Sequence, residues 1–140
     1  MMVCNLIKQN GPFIGRILLA LIFILSGFNK LIGWDSTLSY MASKGIPMTE
    51  IFLALTIFIE LGGGLLIAFG LYARWAAFVI FLFLIPVTIL FHPFWADPEQ
   101  MNNFLKNVAI MGGMFYIMTY GSGSYSINDE PCERRERDRY

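Results

Sequence analysis

Residues 13–32 form an apolar run of twenty positions with only two charges, Arg16 near its start and Lys30 near its end. A helix of that length rises ~30 Å, the thickness of a bilayer's hydrocarbon core, so the stretch reads as a membrane-crossing helix. A backbone in hydrocarbon can satisfy its polar groups only as a helix or a closed barrel, which limits the fold more than any other feature here. A cleaved signal peptide fits poorly, because the run is long and no small-x-small site follows it. Composition agrees. Of the 140 residues, 56% are hydrophobic and 14% charged, against about one-quarter charged in a soluble domain.

Three further spans are expected, at residues 49–70, 74–91 (with Pro86 as a kink) and 101–120. The first link, residues 33–47, reads as a loop with Trp34 and Tyr40 as interface anchors. Thr49 reads as the cap of the second helix, residues 71–75 as a tight return, and residues 92–99 as a second loop. The expected fold is all-α, an integral membrane four-helix bundle of antiparallel spans. Its membrane domain covers residues 13–120, with a polar tail at 1–12 and a polar, disordered tail at 121–140. Lys8, Arg16, Arg74, Arg134, Arg135, Arg137 and Arg139 fall on one side of the membrane, and Lys30, Lys44 and Lys106 on the other. The positive-inside rule then makes both tails cytoplasmic. Formal net charge is zero, so nucleic acid is not an expected partner; the lipid bilayer is.

One carboxylate, Glu60, interrupts the apolar run at 51–71. A charge at the centre of a membrane helix costs roughly 2.5–3.5 kcal/mol on insertion scales, which makes a functional site the default hypothesis. Glu60 lies eleven residues beyond Thr49, ~16 Å along a helix and near the midplane. Gly63 and Gly64, three and four residues on, share its face in a regular helix. With Gly62 and with Gly27 of the first span they suit close helix packing. The topology brings Ser26, Asn29, Lys30, His92, Lys106 and Asn107 to one level near the outer surface, above Glu60. Together they outline an outward-facing polar pocket for a small polar or quinone-like molecule, or a proton relay. Asn29 is expected to seek Glu60 as a hydrogen-bond partner.

Each residue also has a structural reading. Glu60 and the lysines suit an interhelical ion pair, or the lysines snorkel to head groups. His92 suits a cap on the third span. Arg16 reads as a phospholipid anchor or positive-inside marker rather than a ligand. Met111, Met114 and Met118 read as a packing stripe rather than a metal path. Cys4 and Cys132 stand one in each tail, without Cys-x-x-Cys or zinc spacing, which argues against a dithiol enzyme and a metal site and leaves two inert thiols.

Several of these residues recur in a known pattern. Gly15-Arg16, Ser26-Gly27-x-x-Lys30, Gly45-Ile46-Pro47, Glu60-Leu61-Gly62-Gly63 with Leu65 and Gly70, and Arg74-x-Ala76-Ala77 resemble the DoxX family of small bacterial membrane proteins. The resemblance covers residues 15–120 and is looser around His92 and Asn107. It implies a four-helix protein of the bacterial inner membrane, with Lys30 and Glu60 as the characteristic polar pair and Arg16 behind them. Members are linked to quinone-coupled thiosulfate oxidation, to thiol and superoxide stress, and to catechol or quinone responses. Related eukaryotic proteins serve as cargo receptors or assembly chaperones, so the scaffold does not fix a chemistry.

The leading expectation is an inner-membrane subunit of a redox or quinone-linked system, with a quinone or small molecule bound around Glu60 and Lys30. A non-catalytic scaffold or chaperone for a partner membrane protein is the alternative, and a proton-coupled transporter acting as a dimer is the third. Whether the chain is an enzyme stays open. Its residues dictate no cofactor; under the redox reading a quinone or a redox partner protein brings the electron carrier, and self-association is the other expected contact.

Overall fold

The computed structural model describes residues 2–127. The expected cationic end of the second tail, with Cys132 and Arg134 to Arg139, lies outside the described residues. Every regular element among them is helical, with no strand. Three helical stretches are long and apolar enough to cross a membrane: Leu6–Ile32, Thr49–Phe69 and Ala73–Phe91.

Helix α1 is Met2–Ile32, 31 residues, so it begins well before the expected start at residue 13. Pro12 lies inside it, where a missing N–H and a bulky ring normally break a helix. Contacts from distant sequence hold this extension in place. Gly123 sits against the Pro12 ring, close enough that a Cβ there would collide with it, and the Tyr125 ring meets Phe13 edge-on at 5.8 Å.

Helix α2, Trp34–Ser43, replaces the loop expected at residues 33–47. Its apolar positions Trp34, Leu38 and Met41 fall at i, i+4 and i+7, one face of a short helix. That face packs on Leu53, Ile57, Ile46, Leu61 and Phe91. Asp35, Ser36, Ser39 and Ser43 stay exposed.

The second span runs as α3, Thr49–Ile57, then a π-helical turn, Phe58–Gly62, then α4, Gly63–Phe69. Thr49 is not its cap. Met48 precedes the helix in a left-handed conformation (φ 50°), and the Thr49 hydroxyl donates backward to the Ile46 carbonyl at 2.9 Å. The sharp return after α4 uses left-handed backbone at Gly70 and Tyr72, and α5, Ala73–Phe91, follows. Pro86 is within α5. Its buried stripe of Ala73, Ala76, Ala77, Ile80, Leu84 and Thr88 follows helical spacing. Helix α6, Met101–Tyr120, matches the expected fourth helix. Asn102, Asn103, Lys106 and Asn107 make its first turns polar, and it is not among the three apolar stretches.

Ala20 and Phe23 of α1, Ile67 of α4, Ala77 and Ile80 of α5, and Met114 and Ile117 of α6 form one buried cluster, with Met111 and Met118 against it. The methionines do pack, as their spacing suggested. Large apolar side chains such as Leu18, Leu25, Phe58, Leu82 and Phe115 are exposed around the outside. In water such a surface would drive aggregation; in lipid tails it is solvated.

The chain after α6 does not run free from residue 121. Residues 121–127 turn back across the start of α1 to the end of α4, where the Ile127 N–H donates to the Phe69 carbonyl at 3.2 Å.

Candidate functional site

Lys30 lies one turn beyond Ser26 on α1, so the two share a face. Its ammonium donates to Ser26 Oγ at 2.6 Å and to Glu60 Oε1 and Oε2 at 3.0 and 2.8 Å. Those three bonds use the three hydrogens of an ammonium. The Glu60 side chain is 8% exposed and that of Lys30 26%. Glu60 is therefore the buried partner, and Lys30 is the half of the pair that can be approached from outside.

Backbone proximity makes this pairing possible. A Cβ at Gly27 would lie 2.7 Å from Leu61 Cγ, 3.1 Å from the Leu61 backbone nitrogen and 3.2 Å from Glu60 Cβ. One turn further on, a Cβ at Gly64 would lie 3.0 Å from Ile24 Cγ1 and 3.2 Å from the Ile24 backbone nitrogen. The two glycines let α1 and the second span touch backbone to backbone beside the ion pair and one turn beyond it.

Glu60 is at the centre of the π-helical turn Phe58–Gly62. Such a turn inserts one extra residue, which rotates everything beyond it by roughly 100°. Its effect is visible in the glycines. Gly64 faces α1, whereas Gly63 faces α5, where a Cβ would lie 2.8 Å from Ile80 Cδ1. Gly62, expected to pack closely, has nothing within 4 Å of a Cβ position.

The remaining expected pocket residues do not bond to this pair. Asn29 is exposed, one helical position away from the Ser26–Lys30 face, and does not meet Glu60. His92 Nδ1 pairs with Gln100 Oε1 at 2.9 Å, which also accepts from Asn103 Nδ2 at 3.1 Å. Lys106 Nζ donates to Asn103 Oδ1 at 3.3 Å. His92 and Lys106 thus belong to a polar chain joining the end of α5 to the start of α6. Asn107 is buried between α5 and α6, its amide donating to Thr88 Oγ1 at 3.1 Å, while the Thr88 hydroxyl donates to the Leu84 carbonyl at 2.6 Å. Three separate polar groups stand where one pocket was expected.

Arg16 departs furthest from its sequence reading. It is 2% exposed, so it is no lipid anchor. Its Nη1 donates to the Ser122 carbonyl at 2.7 Å and its Nη2 to the Tyr125 carbonyl at 2.9 Å, and its guanidinium lies 5.4 Å from the Phe13 ring centroid. Arg74 donates through Nη1 to the Met118 and Thr119 carbonyls, both at 2.7 Å, satisfying the last turn of α6 as a cation at a helix C-terminus does. Both arginines tie down carbonyls that have no helical partner. The sequence signal was present, since a planar five-donor group suits several carbonyls better than an ammonium does. No group of three or more metal-ligating side chains exists among the described residues.

The profile of the DoxX family matches residues 11–93, a range that includes both members of the ion pair. Inner membrane protein YqjF of Escherichia coli (strain K12) is 36% identical over 122 residues, covering 87% of this chain and 92% of the relative. Inner membrane protein YphA of the same organism is 33% identical over 120 residues, covering 82% and 86%. No solved structure matches the chain.

Proposed function

The chain belongs to the DoxX family, and from that premise we propose that it is an inner-membrane subunit of a redox or quinone-linked system, binding a quinone-like molecule at Lys30 and Glu60. The observation that carries this reading is the asymmetry of the pair: a carboxylate buried inside a membrane span beneath an ammonium that is one-quarter exposed. A carbonyl oxygen arriving at Lys30 accepts one of the hydrogens now given to Ser26 or Glu60. The relatives' names say only that those proteins reside in the inner membrane; the quinone rests on the chemistry of the pair.

With a quinone bound there, Lys30 would hold and polarise its carbonyl oxygen, and the Glu60 carboxylate would be placed to exchange a proton beside it. Electrons come from or go to a partner redox protein, since the described residues hold no dithiol or metal-ligand cluster. The membrane domain comprises residues 13–120 as a four-helix bundle, with α6 as a fourth span and both tails in the cytoplasm. Two observations support that orientation. Arg74 at the start of α5 bonds the last turn of α6, and Arg16, midway along α1, bonds the segment just beyond α6, so the two cations gather where the chain leaves α6.

The test is quinone binding by the purified protein in nanodiscs. Lys30→Met, which removes the ammonium that the carbonyl would accept from, is expected to lower affinity for a ubiquinone or menaquinone analogue at least about tenfold, the loss of one charged hydrogen-bond partner. Unchanged binding by a folded Lys30→Met variant rejects the proposal.

A further inference from the structure

The amino-terminal half of α1 and the second half of α6 leave a cleft of about 520 Å³ between them, lined by Lys8, Gly11, Gly15, Leu19, Gly113 and Tyr116 among others. Ligand clefts commonly measure roughly 300–1,000 Å³. Gly11 and Gly15 leave it open on the α1 side, while Gly113 packs against Leu19. A Cβ at Gly15 would meet nothing within 4 Å, and one at Gly11 only the Ile7 side chain of its own helix, at 3.8 Å.

The dimensions and charge of the cleft fit one kind of occupant. Lys8 and Leu19 are eleven residues apart on α1, ~16 Å of rise, or about half of a ~30 Å hydrocarbon core. The cleft is therefore about half a core in length, apolar at Leu19 and Ile117 and cationic at its Lys8 end. Arg16, also in the lining, already donates to the Ser122 and Tyr125 carbonyls. Lys8 is exposed, and among the described residues the ion pair formed is Lys30–Glu60, which leaves the Lys8 charge to set the character of the mouth. Basic clefts between membrane helices hold anionic lipid head groups by this combination of charge and apolar wall.

We propose that the α1–α6 cleft binds one anionic phospholipid, its phosphate on Lys8 and an acyl chain running past Gly11 and Gly15 toward Leu19. This site is distinct from the ion pair, since Lys30 is 22 residues further along the same helix, ~33 Å away.

Native mass spectrometry of the full chain, released from nanodiscs of phosphatidylglycerol mixed equally with phosphatidylcholine, tests the proposal. The unaltered protein is expected to retain one phosphatidylglycerol in preference to phosphatidylcholine. Lys8→Gln should reduce that preference about fivefold, the effect of one lysine near a membrane surface. Gly15→Leu, which places a side chain in open space, should remove most bound lipid while helix content stays unchanged. Leu25→Ala, on an exposed part of α1 away from the cleft, should alter neither. Equal retention of the two lipids, or full retention by Gly15→Leu, overturns the proposal. So does a lipid-free dimer that dissociates on Gly15→Leu, because the cleft then holds a second copy. Should Gly15→Leu fail to fold, the exposed Lys8→Gln variant still decides the head-group preference.

Discussion

Glu60 can stay in an apolar span because Lys30 and two close helices enclose it. Removing one member of such a pair strands the other, which costs about 3–5 kcal/mol in a buried setting, whereas replacing both with apolar side chains is often neutral. Lys30 is partly exposed, so the cost here falls at or just below the lower end of that range. Lys30→Met and Glu60→Leu should each destabilise the protein by roughly 2–3 kcal/mol in a denaturant titration in mild detergent, and the double variant should recover most of the loss. Additive losses would mean that the two side chains do not act as a pair. The sequence marked Glu60 as a costly carboxyl in an apolar run, and it was the family resemblance that set Lys30 beside it. Asn29 was expected to meet Glu60 and does not, although it precedes Lys30 by one position. One residue is a rotation of roughly 100°, and Asn29 faces outward while Ser26 and Lys30 face Glu60. His92, Lys106 and Asn107 failed for the same reason. Topology gives the depth of a residue along a helix, not the direction in which it points.

Two elements escaped the sequence reading for different physical reasons. The face of α2 is written in Trp34, Leu38 and Met41, but the breakers Gly33 and Pro47 on either side suggested a loop. The π-helical turn at Phe58–Gly62 has no such signature, since an i→i+5 turn and an i→i+4 turn admit the same residues. Beyond it Gly64 meets α1 and Gly63 meets α5. The glycines should therefore respond unequally. Gly27→Ala forces a Cβ into the Leu61 backbone and should cost about 1–3 kcal/mol, as overpacking does, while moving Glu60 off Lys30. Gly62→Ala meets open space and should be neutral or stabilise by up to about 1 kcal/mol, through loss of freedom in the unfolded chain. Thermal unfolding of the two variants in detergent compares them directly; equal effects would contradict the close approach at Gly27.

At the scale of the whole molecule, one end is closed by chain that looked like the start of a tail. Residues 121–127 reach α1 through the two Arg16 bonds and reach α4 through Ile127. The proposed orientation puts this end in the cytoplasm. Cys4 and Cys132 are the two native cysteines, and both should resist a membrane-impermeant maleimide in spheroplasts and react after lysis. Ser39→Cys on the exposed face of α2 should react in spheroplasts once the native cysteines are replaced. Labelling of Cys4 before lysis would reverse the orientation.

The sequence by itself determined that this chain is helical and suited to a membrane, that its helices begin and end near residues 49, 70, 91 and 101, and that Glu60 is an ionisable group deep in an apolar span. Each follows from a local cost: backbone groups without water must bond within a helix, and a charge in hydrocarbon is expensive. Only the tertiary structure decided which polar residues meet. It separated one expected pocket into the Lys30–Glu60–Ser26 group, the His92–Gln100–Asn103–Lys106 chain and the Asn107–Thr88 pair, and it made Arg16 a buried clasp. Those outcomes depend on how each helix is rotated about its axis. That rotation is set by glycine contacts, by one extra residue in a turn and by carbonyls more than a hundred positions away in the chain.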